Sequence, residues 1–367
     1  MTLYLIQEQY LRDWLAEIIA TGRRVIAPQS ENGLVVYREV TRAETIDLHA
    51  RAKPDFSFKH ILFPQTETVF RYEWRERRPV VEDAAAETSA DAENASASVQ
   101  GEVVVVGATP CDAASLLVLD HVFLADPPDP FYARRRENLI VIGRSCSHAQ
   151  PECFCTTVGL SPVSTQGCDI FLMPLGADLC DELDIGSGFV AEVLSEKGEA
   201  LVANVKATWV KPNGSDHSTW LNELKAAHLR AVQAEMLPRR ALTPSPDELK
   251  KDFEHPAWEE IARACLSCGV CAFVCPTCHC YDLSEERQGR IWSRCRNWDS
   301  CAFGYFTLHA SGHNPRPTAL ERYRQRVMHK FCYFLEATGA NMCVGCGRCV
   351  KFCPVGLDIY QARARWP

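Results

Sequence analysis

Apolar positions along the 367 residues change their period several times. The first twenty residues, MTLYLIQEQYLRDWLAEIIA, carry Leu, Trp and Ile at three- and four-residue spacings with acidic residues between them, which predicts an amphipathic helix. Short apolar runs at 25–27, 34–40 and 60–63 then alternate with polar turns. The segments 103–107, 139–143 and 170–175 are compact and wholly apolar, as expected of strands buried on both faces. Between the first two, 113–124 has helical periodicity. Residues 189–193 and 200–205 predict a hairpin turning at Lys197 and Gly198, and 218–236 predicts an amphipathic helix. Pro238, Pro244 and Pro246 follow as a boundary, and from about residue 248 the period is helical, interrupted by cysteine-rich loops.

This pattern predicts an α/β N-terminal domain over 1–215, a helical linker over 216–247 and an all-helical ferredoxin-type domain over 248–367. Residues 82–100, EDAAAETSADAENASASVQ, bury too little apolar surface to order themselves, so an exposed acidic loop is expected there. In the last third, 318–335 is rich in helix formers and starts with Thr318 and Glu321 as an N-terminal signal.

The net charge of −8 argues against nonspecific nucleic-acid binding, which needs a basic footprint. No stretch approaches the ~18 apolar residues that suggest a membrane span, and no signal peptide is evident, so no direct membrane insertion is expected. Nineteen cysteines at ligand-like spacings, odd in number, point away from a secreted disulfide scaffold. Thiolates that must stay reduced until iron arrives suggest the cytoplasm.

The spacings name the metal chemistry. Cys265, Cys268, Cys271 and Cys275, followed by Pro276, spell C-x2-C-x2-C-x3-C-P; Cys343, Cys346, Cys349 and Cys353, followed by Pro354, repeat it. One such run is a [4Fe–4S] signature, and two predict a two-cluster module in which the fourth cysteine of each run ligates the other cluster. Cluster 1 is therefore expected on Cys265, Cys268, Cys271 and Cys353, and cluster 2 on Cys343, Cys346, Cys349 and Cys275. Gly269, Gly345 and Gly347 would let the backbone approach the sulfides.

Four further cysteines, Cys111, Cys146, Cys153 and Cys155, lie after two of the predicted strands, where loops of an α/β sheet converge. They read as a third iron–sulfur cluster, a zinc site, or buried small hydrophobes. Cys278, Cys280 and Cys301 either ligate a further centre or line cluster 2. Cys168, Cys180, Cys295 and Cys332 stand alone and read as structural. The basic run 313–330, with Arg316, Arg322, Arg324, Arg326, His329 and Lys330, reads first as a solvated helix face; alternatively it raises a cluster's potential or docks an acidic partner. Trp298 and Tyr305 read as core. No dinucleotide fingerprint, phosphate loop, nickel-site motif, flavin site or catalytic residue is evident.

The strings FPQTETVF at 63–70, PCD at 110–112, DPPDPFYARRREN at 126–138, CFCTTVG at 153–159, CPTCHCYD at 275–282, WDSC at 298–301, GHNPRP at 312–317 and CVGCGRC at 343–349 resemble the beta subunit of soluble cytoplasmic [NiFe] hydrogenases, the sulfhydrogenases. They are also similar to the A subunit of anaerobic sulfite reductase. The resemblance spans nearly the whole chain, and 126–138 favours the hydrogenase branch. It implies a subunit without a catalytic centre that relays electrons between a flavin- and NAD(P)-binding diaphorase subunit and the hydrogenase small and large subunits, or a sirohaem sulfite reductase subunit. It also implies cysteines at positions 111, 146, 153, 155, 278, 280 and 301, which favours the third cluster.

Overall fold

The computed structural model describes residues 2–51, 53–82, 101–182, 186–203, 205, 217–237 and 245–360. Their strands, in chain order, are β1 (Thr2–Gln7), β2 (Arg24–Glu31), β3 (Leu34–Val40), β4 (Thr66–Arg75), β5 (Arg78–Glu82), β6 (Val103–Ala108), β7 (Leu139–Arg144), β8 (Ile170–Pro174), β9 (Gly188–Val193), β10 (Tyr281–Gln288) and β11 (Ile291–Trp298).

Seven of these form one sheet in the order β1-β9-β8-β7-β6-β2-β3. Its centre, β2-β6-β7-β8, is parallel, and antiparallel strands close both edges. Every residue of β6 and β7 is buried, because helices cover both faces. On one face the helix Glu8–Ala20 lays Leu11, Trp14, Leu15 and Ile18 against Val104, Val106, Ile140 and Ile142. Such side chains each contribute roughly 1.5–3 kcal/mol on burial. On the other face the helix Pro110–Phe123 packs Leu116, Leu119 and Phe123 against Val103, Val105 and Val141, together with Phe58, Leu62 and Phe63. The α/β reading of this part of the chain is correct.

Two local expectations change, and one apolar run acquires a form. The N-terminal helix starts only at Glu8, since residues 2–7 pair with β9 as an edge strand. The short apolar run at 60–63 falls in and just after a single helical turn, Lys59–Leu62. The second half of the expected hairpin is the helix Glu196–Val202, capped by the Ser195 hydroxyl, which accepts from the Gly198 N–H at 3.1 Å. The predicted helix at 218–236 is present as His217–Glu235. The expected loop at 82–100 and the boundary prolines Pro238 and Pro244 lie almost wholly outside the described residues, while Pro246 opens the helix Pro246–Lys251.

The C-terminal part is not all-helical. β10 and β11 form a hairpin, and β11 pairs antiparallel with β4, giving a second sheet in the order β10-β11-β4-β5. Its strands come from both ends of the chain, so it is a structural seam between the cysteine-rich part and the α/β part. The helix Ala319–Met328 begins with the predicted capping box of Thr318 and Glu321 and runs on through a π-type turn, His329–Tyr333, into Phe334–Thr338. Tyr323, Val327, Met328 and Phe331 face a core with Leu249, Trp258 and Ile261, and Phe154 from the N-terminal half enters that same core.

Candidate metal centres

The two ferredoxin runs wrap two neighbouring cavities. The larger, about 500 Å³, is lined by Cys265, Cys268, Cys271 and Cys353, with Tyr323, Arg326 and Ile359 behind them. Leu357 donates its backbone N–H to Cys353 Sγ at 3.2 Å. The smaller, about 290 Å³, is lined by Cys275, Cys343, Cys346 and Cys349 together with Lys330. Each cavity is lined by three cysteines from one run and the last cysteine of the other, with Cys349 also on the wall of the larger. Cys349 and Ile359 line both cavities and so form their shared wall. At Gly345, φ is +62°, and its N–H donates to Cys343 Sγ at 3.4 Å.

Cys111, Cys146, Cys153 and Cys155 are also brought together. Cys111 opens the helix after β6, Cys146 follows β7, and the other two sit in the next loop, all at the edge to which the parallel strands run. Burial pushes Cys146 up to about 11, and burial with the nearby Cys146 and Cys153 pushes Cys155 up to about 12. This group abuts the smaller cavity. Phe154 donates its backbone N–H to the Gly345 carbonyl at 2.9 Å, and a Cβ at Gly345 would lie 2.4 Å from the Cys155 Cα. A Cβ at Gly347 would meet the Glu152 carbonyl at 2.2 Å. The glycines between the cysteines thus permit close contact with the N-terminal cysteine loop, a role that spacing within the run does not reveal.

Cys278, Cys280 and Cys301 are neighbours, with Cys280 close to both of the others. The Cys278 thiol hydrogen-bonds to Cys275 at the wall of the smaller cavity and accepts from the Arg326 guanidinium at 3.3 Å. Cys280 and Cys301 hydrogen-bond to each other at the base of the β10–β11 hairpin. Cys180, Cys295 and Cys332 are buried and Cys168 half-buried. Trp298 packs on Phe63 and donates its indole N–H to the Phe63 carbonyl, as a core residue does, whereas Tyr305 is 85% exposed and is not core.

The basic run is not a solvated face. Arg324, Arg326 and Lys330 are buried. Arg326 reaches the Cys271 carbonyl at 2.9 Å, and Lys330 reaches the Thr277 hydroxyl at 3.0 Å. Burial would push Lys330 down, but Cys275 and Cys278 lift it above its ordinary value. Two buried lysines from the N-terminal half, absent from the sequence-based site, join them. Lys59 donates to the carbonyls of Cys275 and Cys278 at 3.1 and 2.9 Å and lies 3.8 Å over the Trp298 ring. Burial holds Lys59 down at about 8. Lys53 donates to Cys153 Sγ at 3.5 Å and to the Cys346 carbonyl.

Among the described residues, none of Lys53, Lys59, Arg326 and Lys330 is paired with a carboxylate. Buried cations need compensating negative charge. Cavities ringed by thiols and lined by cations suit an anionic, thiolate-held cluster. Among the described residues no three His, Cys, Asp or Glu side chains converge as they would on one metal ion.

Arg348, between Cys346 and Cys349, joins the two halves. It is fully buried and bonds Asp112 bidentately at 2.6 and 2.8 Å, and it also donates to the Pro54 carbonyl. Tyr37 and Thr109 donate to the same carboxylate, each at 3.0 Å.

Comparison with known proteins agrees with this geometry. A family profile described as a 4Fe-4S dicluster domain matches residues 264–357. Sulfhydrogenase 2 subunit beta of Pyrococcus furiosus is 35% identical over 263 residues, covering 70% of this chain and 72% of that one.

Proposed function

The chain belongs to the sulfhydrogenase beta-subunit family, and from that premise we propose that it relays electrons between a flavin- and NAD(P)-binding subunit and a [NiFe] catalytic module. Its coarser role, an iron–sulfur electron-transfer subunit of a hydrogenase-type complex, follows from the family and the dicluster domain. The observation that carries the finer reading is the row of three cysteine groups in contact. Cys265, Cys268, Cys271 and Cys353 adjoin Cys275, Cys343, Cys346 and Cys349 through Cys349, and these adjoin Cys111, Cys146, Cys153 and Cys155 through Gly345.

In this reading each group holds one [4Fe–4S] cluster, and each such cluster accepts and releases one electron at a time. The chain's own residues position the thiols, surround them with buried cations and keep the inner groups from water. No residue of this chain acts as a catalyst. The working organisation keeps 1–215 as the α/β part, 216–247 as a connector and 248–367 as the cluster-bearing part, with the shared sheet as the seam. Among the described residues no helix is long and apolar enough to cross a membrane.

Anaerobic affinity purification from the host, followed by identification of the co-purifying chains and an iron count, tests this. A nickel-containing pair plus a flavin subunit, with ~12 iron atoms on this chain, is the expected result. A sirohaem subunit in place of nickel would move the chain to the sulfite reductase role, and ~8 iron atoms would remove the N-terminal cluster.

A further inference from the structure

One buried charge serves two of the cysteine groups at once. Lys53 lies in the loop between β3 and the helical turn Lys59–Leu62. Its ammonium donates to Cys153 Sγ at 3.5 Å, in the N-terminal group, and to the carbonyl of Cys346, in the smaller ferredoxin cavity. The residue is 8% exposed, and among the described residues its ammonium hydrogen-bonds to no carboxylate. Its loop is held on both sides. Pro54 accepts from Arg348, the Asp55 carboxylate accepts from the Val35 N–H at 2.8 Å and from Lys351, and Phe56 stacks on Phe352. The ammonium therefore has little freedom to leave. Three other buried cations are placed differently: Arg326, Lys330 and Lys59 hydrogen-bond to residues within 271–278, and Lys59 also lies over the Trp298 ring.

We propose that Lys53 is a positioning residue that sets the reduction potentials of the N-terminal cluster and of the Cys346 cluster together, keeping them close enough for an electron to pass between them. This rests on the three-cluster reading above. The physics is direct: reduction adds negative charge to a cluster, and a fixed ammonium in a low-dielectric interior stabilises that added charge at both neighbours. Removing the charge makes both clusters harder to reduce. The group of Cys265, Cys268, Cys271 and Cys353 makes no contact with Lys53 and serves as an internal reference.

The test is an EPR-monitored redox titration of the intact complex carrying Lys53→Met, Lys53→Gln or Lys53→Arg, with iron counted in each preparation. Lys53→Met is expected to lower two midpoint potentials together and leave the third unchanged, and Lys53→Arg to restore both. Lys53→Gln keeps an N–H donor without the charge. If Lys53→Met fails to assemble, Lys53→Gln decides: two lowered potentials support the proposal. Unchanged potentials with full iron overturn it, because Lys53 would then be structural only. A wild-type count of ~8 iron atoms on this chain would sink the three-cluster reading instead. In that case a shift confined to the Cys346 cluster would show Lys53 acting on one centre and end the bridging claim.

Discussion

Arg348 occupies a position that ferredoxin spacing leaves free, yet it is fully buried, and its guanidinium is held wholly by the other half of the chain. Its planar fork matches the Asp112 carboxylate, and the Pro54 carbonyl takes two more N–H groups. Removing one partner of such a pair leaves an uncompensated buried charge. Arg348→Ala is therefore expected to cost ~3–5 kcal/mol. Arg348→Lys is expected to recover only part of that, because an ammonium cannot reproduce the fork. Guanidinium unfolding of anaerobic protein reads both, and an unchanged midpoint for Arg348→Ala would mean the pair is not structural. Nothing in the sequence singles out this arginine. Asp112 appears in the PCD string, but their pairing joins residues more than two hundred positions apart, and no local pattern encodes that. Lys53 and Lys59 escaped notice for the same reason. The eight ferredoxin cysteines were legible because cluster geometry imposes their spacing within a single loop.

Glycines show how an element's role depends on its neighbours. Gly345 and Gly312 both have left-handed backbone, with φ of +62° and +83°. A Cβ on Gly312 meets nothing within 4 Å, whereas on Gly345 it would strike the backbone of Phe154 and Cys155. Gly312→Ala should thus cost only the conformational penalty, ~1 kcal/mol, and keep all iron. Gly345→Ala adds an overpacking cost of ~1–3 kcal/mol and is expected to separate the two cysteine loops, with loss of the N-terminal group's iron. Equal iron content and equal melting in the two variants would refute the loop contact. The same distinction explains the mistaken hairpin. Gly198 looks like a turn residue, but it sits inside a helix where a Cβ would lie 2.4 Å from the Asp169 carbonyl, so its small size serves packing. Strands β6, β7 and β8 were legible as runs buried on both faces. β10, YDLSEERQ, was not, because it is mostly exposed and owes its conformation to β11. The available signal was Gly289, whose φ of +64° falls in the two-residue hairpin loop.

At the scale of the molecule, the cysteine cavities and the shared sheet make the two halves interdependent. In the proposed ligand assignment the fourth cysteines are exchanged, so neither ferredoxin run completes a site alone. Cys346→Ser is accordingly expected to remove one cluster's EPR signal and also to lower the stability of the whole cysteine-rich part, because metal binding there is coupled to folding. Thermal unfolding followed by both iron absorbance and circular dichroism would show the two changes together. Full retention of every cluster would reject the ligand assignment.

The shared sheet also dictates an order of events during synthesis. Ile291 of β11 lies opposite Glu73 of β4. At ~5–20 residues per second, the β4–β5 hairpin leaves the ribosome ~10–45 s before its partner strand exists. Throughout that interval β4 carries Phe70, Tyr72 and Trp74 with one edge unpaired. An unpaired strand edge invites pairing with other chains, so β4 is the edge at risk until β11 is made, and in the proposed assignment the exchanged sites have all their cysteines only once translation reaches Cys353.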